Sequence, residues 1–255
     1  MTPLLSALLA GLLVATMAFV GFGSLLIAKK LLERLLLGLV AFAAGALLGG
    51  AFFHLLPEAI ELNAQALPIV LIGIIIFFIL DSAFWIYHCH GGHQFHDHHK
   101  HGHASCSPGR PVGWLNLIGD AVHNITDGIV MGSAFLVNPA LGWATTFAVA
   151  LHEIPQEVGD FGILIHAGFA KKKALLLNGL VALTILIGIG GVFVAQEYVE
   201  GLTAYTLPFA AGGFIYMACT NLLSEIKEES SVKRRALQFV FFLLGIGLLW
   251  VTRES

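Results

Sequence analysis

Two stretches decide how this chain is read: residues 116–135, NLIGDAVHNITDGIVMGSAF, and residues 150–164, ALHEIPQEVGDFGIL. In the first, Asp120, His123, Asn124 and Asp127 recur at offsets of three, four and seven. A helix sets such positions on one stripe. In the second, His152, Gln156 and Asp160 are four apart and share a face, with Glu153 and Glu157 on the adjoining one. Each stretch is otherwise apolar, so both read as membrane helices that bury an ionisable face. Ionisable groups inside a bilayer are costly and mark functional sites.

The rest of the chain agrees with lipid surroundings. Of 255 residues, 57% are hydrophobic and only 11% charged, where a soluble domain carries about 25%. The net charge of -3 and the lack of a long charged run exclude nucleic acid as a partner. Cys89 and Cys106 flank a histidine-rich stretch and Cys219 lies in an apolar run, so no disulfide framework is read. Eight runs approach the roughly 20 apolar residues that a span needs: residues 4–28, 35–56, 67–87, 114–136, 143–169, 174–195, 204–223 and 236–251. The first is too long for a signal-peptide core and is expected to stay as a helix. The reading is thus an all-α integral membrane protein with eight transmembrane helices, forming a single transporter domain over residues 1–255.

Basic residues give the orientation. Lys29, Lys30, Arg34, Lys100, Arg110, Lys171, Lys172, Lys173, Lys227, Lys233, Arg234 and Arg235 are 12 of the 13. All fall on one side of an eight-span arrangement, and the positive-inside rule makes that side cytoplasmic. Both termini then face out, on a multi-pass protein of the cell membrane (the inner membrane if the source is bacterial, as the short termini favour). Gly45 and Gly49 form a small-xxx-small pair that would let helices approach closely, although glycine is common in membrane helices and the plain reading is that frequency alone.

Spans four and five are joined by a short outer loop, residues 137–142, and are expected to be antiparallel neighbours. Counted from that loop, Asp127 and His152 each lie about 14 Å deep, near the middle of a hydrocarbon core about 30 Å thick. His123 sits one turn deeper, level with Gln156. Imidazole and carboxylate together suit zinc and other first-row divalent metals. A polar network that merely glues two helices is the plain alternative. Pro155 removes a backbone donor and is expected to interrupt span five where it lines a cavity.

The segments HNITDG, HEIPQEVGDF and HLLPEA (residues 54–59) resemble signature segments of the ZIP family of zinc and iron transporters, and most nearly its subfamily with a HEXPHEXGD motif. The resemblance covers the whole chain. It implies a first metal site of His123, Asp127, His152 and Gln156, and an adjacent one of Asn124 and Glu153. It also implies a homodimer, transport toward the cytoplasm, and inverted symmetry between spans one to three and six to eight. Glu157 is counted with these ligands. The subfamily has His where this chain has Gln156, a weaker, neutral ligand. The end of span seven, residues 221–225, also departs from the more acidic, proline-containing pattern expected there.

Residues 88–103, HCHGGHQFHDHHKHGH, hold eight of the twelve histidines and are read, within residues 88–111, as a flexible cytoplasmic loop that binds metal with low specificity. Further candidates are Asp120 and Asp160 in the stripes, His54 and Glu58 as an entrance pair, and His166 as a residue that passes metal inward. Asp81 and Asn178 are further pathway positions. The function expected is transport of a divalent transition metal, zinc before iron, manganese or cadmium, by alternating access, with no enzymatic activity. The alternatives are a membrane metal sensor or receptor, and an intramembrane zinc protease. His152-Glu153 begins an H-E-x-x-H motif that Gln156 fails to complete.

Overall fold

A computed structural model describes residues 1–85, 109–222 and 231–253. The histidine-rich segment, the side chain of Asp81 and the divergent end of span seven lie outside the described residues or side chains. What is described is all-α.

The first apolar run forms α1 (Pro3–Ala15) and α2 (Ala18–Gly23), followed by a 3-10 turn, Ser24–Leu26. Thr2 caps α1 by accepting from the Leu5 N–H, and Pro3 supplies a first residue that needs no donor. The break between α1 and α2 falls at Thr16, whose hydroxyl donates to the Leu13 carbonyl. Such back-bonding competes with the helical ladder and bends it. The second run forms α3 (Lys29–Gly50), a π turn (Ala51–Leu55) and α4 (Leu56–Leu62), and the third forms α5 (Ala66–Trp85).

Next come α6 (Arg110–Val137) and α7 (Pro139–His166), each of 28 residues. Only Asn138 separates them, tighter than the six-residue loop expected. Its side chain accepts from the Leu141 N–H at 2.7 Å, which caps α7, and Pro139 takes the first helical position. The expected interruption at Pro155 is absent: α7 runs through it unbroken. One missing donor is tolerated because its neighbours on both sides keep the helical path.

The sixth run bends at Leu183–Thr184, giving α8 (Lys171–Ala182) and α9 (Ile185–Ala195). Thr184 donates to the Val181 carbonyl at 2.7 Å, as Thr16 does in the first run. Then follow α10 (Thr203–Met217), a second π turn (Ala218–Leu222) and α11 (Val232–Val251).

Among the described residues, four helical stretches are long and apolar enough to cross a membrane: Pro3–Leu26, Lys30–Leu62, Lys171–Ala195 and Val232–Val251. Ala66–Leu80 is apolar but shorter. Helices α6 and α7, of 28 residues each, are also long enough but carry the polar stripes. The protein is therefore a multi-helix integral membrane protein. Large apolar side chains such as Leu71, Phe78, Leu176 and Phe239 point outward, as lipid contact requires.

Packing is closest where glycines face each other. A Cβ on Gly45 would overlap the Phe242 carbonyl of α11, and one on Gly245 the Phe42 carbonyl of α3. The same reciprocal contact joins Gly73 of α5 to α10 at Gly212, and Gly128 of α6 to α9 at Gly188. The absence of side chains lets these backbones touch, so Gly45 is a packing position rather than a chance glycine.

Candidate metal centre

The hairpin α6–α7 brings four donor atoms to one point. His123 and Asp127 are one turn apart on α6, while His152 and Glu153 are consecutive on α7 and reach the point from adjoining faces. All four donors lie within 4.8 Å of one another. His123 Nε2 is 3.2 Å from His152 Nε2, 3.3 Å from Glu153 Oε1 and 3.6 Å from Asp127 Oδ2. His152 Nε2 is 3.1 Å from Asp127 Oδ2 and 3.6 Å from Glu153 Oε1. A tetrahedral zinc ion with bonds of about 2.0–2.2 Å sets its donors about 3.3–3.6 Å apart. Three of the five separations fall in that range and the other two lie within 0.2 Å of it.

The surroundings prepare these atoms for a cation. His152 Nδ1 faces the Ala148 carbonyl at 3.3 Å; an N–H there leaves the Nε2 lone pair toward the cluster, as metal-binding histidines are commonly held. Both oxygens of Asp127 and Oε1 of Glu153 accept no hydrogen bond, although all are buried. His152, Asp127 and Glu153 are buried and His123 is half-buried. Buried acceptors without donors are costly, and a divalent ion satisfies them together while matching the charge of two carboxylates.

The remaining polar residues form a layer beside this cluster. Asn124 donates to Asp120 Oδ1 at 2.8 Å and to the Asp120 carbonyl at 3.0 Å. Gln156 Nε2 lies 3.5 Å from Asp120 Oδ1, so its amide nitrogen is turned toward Asp120. Asn116 donates to Asp160 Oδ1 at 3.1 Å. Glu157 is buried and accepts from Asn178 of α8. Glu153 stands with the two histidines and Asp127, and Gln156 lines the cavity beside His123 and His152. Asn116 was not singled out from sequence, though it continues the α6 stripe one turn before Asp120.

A cavity of about 400 Å³ adjoins the centre, lined by His123, His152, Asp120, Asn116, Gln156 and Asp160 among others. It follows the first half of α6 and the last half of α7, toward the ends bordered by Arg110 and Lys171–Lys173. On the other side of the centre, Val130, Met131, Phe135, Leu141 and Val149 are buried. The outlying candidates are not part of the four-donor cluster. His54 Nε2 donates to the Leu249 carbonyl at 2.9 Å, which ties the first π turn to α11. Glu58 is half-buried on α4. His166 is exposed at the end of α7, its Nδ1 2.8 Å from the Gly162 carbonyl.

A helical membrane protein with a buried two-histidine, two-carboxylate centre is the class these features define. The chain belongs to the ZIP family of zinc transporters, whose profile, described as "ZIP Zinc transporter", matches residues 87–253. It is 36% identical over 228 residues to "Zinc transporter ZIP13" of Pongo abelii, which covers 83% of this chain and 65% of that protein. It is 33% identical to the Homo sapiens protein of the same name (83% and 69%). It is 31% identical to "Zinc transporter SLC39A7" of Rattus norvegicus (83% and 63%). The chain therefore spans roughly two thirds of the length of these relatives. ZIP proteins are membrane carriers, not enzymes.

Proposed function

We propose that this protein carries a divalent transition metal, zinc foremost, across a cell membrane toward the cytoplasm by alternating access. The observation that carries this reading is the set of four donors, three buried and one half-buried, within 4.8 Å of one another beside a cavity of about 400 Å³. His123, Asp127, His152 and Glu153 hold the ion. Asn124, Gln156 and Glu157, with Asp120 and Asp160, form the polar layer that it meets next. A nitrogen-and-oxygen donor set favours zinc over the harder manganese, while iron and cadmium remain competitors.

The cavity leads toward Arg110 and Lys171–Lys173, the side that positive-inside charge makes cytoplasmic, so the conformation is inward-open. Eight spans with both termini outside accommodate that arrangement. Inverted symmetry between spans one to three and six to eight has support in matched irregularities. Spans one and six bend at Thr16 and Thr184, spans two and seven carry π turns, and α5 and α11 are unbroken helices of 20 residues each. The pairings match too: α3 packs on α11 and α10 on α5, which an inversion interchanges. Metal enters past His54 and Glu58 when the outer half opens, and a homodimer is the expected assembly.

Zinc uptake into liposomes holding purified protein tests the reading. Accumulation that needs the protein and saturates with zinc is expected. Binding without accumulation would leave a sensor, and would sink the transport assignment.

A further inference from the structure

A second cavity, of about 460 Å³, lies away from the metal centre, between the α1–α2 bend and α8. Its walls are apolar: Leu12, Phe19, Leu176, Leu180 and Leu183 contribute, all of them exposed. Lys172 alone among the described lining residues carries a charge, and it sits at one end. Both bends shape the groove. Thr16, where α1 ends, and Leu183, just after α8, both line it.

Its dimensions match one leaflet. From Lys172 to Leu183 is eleven residues of mostly helical chain, about 16 Å at 1.5 Å per residue. Half of a hydrocarbon core is about 15 Å. The charged end is also at interface level. Lys173, the next residue, places its ammonium over the rings of Trp114 (5.9 Å) and Phe169 (5.7 Å), and Trp is enriched at membrane–water boundaries. Lys171 and Lys172 are exposed beside it and the first turn of α8 contains no acid. The groove therefore pairs an apolar slot one leaflet deep with cationic charge at headgroup height.

We propose that this groove binds an anionic phospholipid, with one acyl chain along α8 and its phosphate at Lys171 and Lys172. A zwitterionic lipid fits the slot equally but gains less from the lysines. Juxtamembrane lysines each contribute about fivefold in affinity toward acidic lipid. The contact does not depend on which way metal moves, and its failure would leave the transport reading intact.

Native mass spectrometry of the full chain, offered equal amounts of phosphatidylglycerol and phosphatidylcholine with identical acyl chains, tests it. The unaltered protein is expected to retain phosphatidylglycerol preferentially. Lys172→Gln should cut that preference about fivefold. Gly179→Leu should displace both lipids, because an added Cβ at Gly179 meets no atom within 4 Å and the side chain grows into the slot. Unchanged zinc stoichiometry checks that each variant is folded. An undiminished preference in folded Lys172→Gln, or full lipid retention in folded Gly179→Leu, overturns the proposal. So does a lipid-free dimer that Gly179→Leu dissociates, since the occupant is then a second copy of this chain.

Discussion

Replacing His152 by alanine removes one of four donors and leaves the other three in place. The imidazole Nε2 stands 3.1 Å from Asp127 Oδ2 and 3.2 Å from His123 Nε2, so its loss opens one vertex of the tetrahedron. Four-ligand zinc sites bind with an apparent strength of about 10–16 kcal/mol, or about 3 kcal/mol per donor if shared evenly. His152 also lines the 400 Å³ cavity, so water can occupy the vertex and return part of that. A net loss of about 2 kcal/mol corresponds to about thirtyfold in dissociation constant. Isothermal titration with a competing chelator, on detergent-solubilised protein, measures this directly. His54→Ala is the control: its ring is committed to the Leu249 carbonyl, and zinc affinity should stay within about threefold. If His152→Ala is folded and binds zinc within about threefold of the native protein, the four-donor centre is not where the metal sits.

Three further outcomes follow from the same geometry. Gln156→His offers an imidazole where the amide now faces Asp120; zinc should bind more tightly and leave more slowly, giving a lower half-saturating concentration and a lower maximal rate in liposome uptake. Manganese, an oxygen-preferring ion, should gain less than zinc in the same assay. Gly188→Ala presses a methyl onto the Ile125 carbonyl, whereas Gly190→Ala on the same helix meets nothing within 4 Å. Thermal melts should show the first destabilised by about 2 kcal/mol and the second neutral or slightly stabilised. Removing residues 90–103 should leave uptake intact, because the four donors all come from α6 and α7; a folded, inserted and inactive deletion would overturn that.

Hydrophobic runs made the helical order legible in the sequence. The expected runs return as helices with ends shifted by a few residues, except that the second begins earlier and runs on to Leu62. What could not be read were the internal bends. Thr16 and Thr184 act through hydroxyl bonds to the preceding turn, and threonine is common enough in membrane helices that no spacing marks it. Pro155 misled in the opposite direction, because proline fixes one dihedral and removes one donor but cannot by itself end a well-packed helix. In the site, periodicity found the right helix faces, yet a face is about a quarter-turn wide. It could not tell that Glu153 turns into the cluster while the Gln156 amide turns toward Asp120. That choice depends on rotamers and on the partner helix. Asn178 shows the same limit: an isolated amide in the sixth run gains meaning only from Glu157 across the interface.

The arrangement also says why this centre suits a carrier better than a permanent store. Two carboxylates balance a divalent cation when the ion is present. Once it leaves, Asp127 and Glu153 are buried beside the two imidazoles with no ion to balance them. Buried charge without a partner is expensive, so the emptied site must be wetted or refilled. On the proposed reading the cavity lined by His123 and His152 admits that water, while the buried Met131, Phe135 and Val149 keep the opposite side dry. A structural zinc site is sealed all round and gains nothing from such one-sided access. In the proposed cycle the wet and dry sides exchange. The hairpin α6–α7 carries all four donors, and can keep their tetrahedral spacing while the helices around it repack. The reciprocal glycine contact between α6 and α9 belongs to that surrounding contact, where two backbones touch with few side chains to interlock. Motion there need not disturb a donor, which is why the Gly188 substitution should alter stability and turnover before it alters zinc affinity.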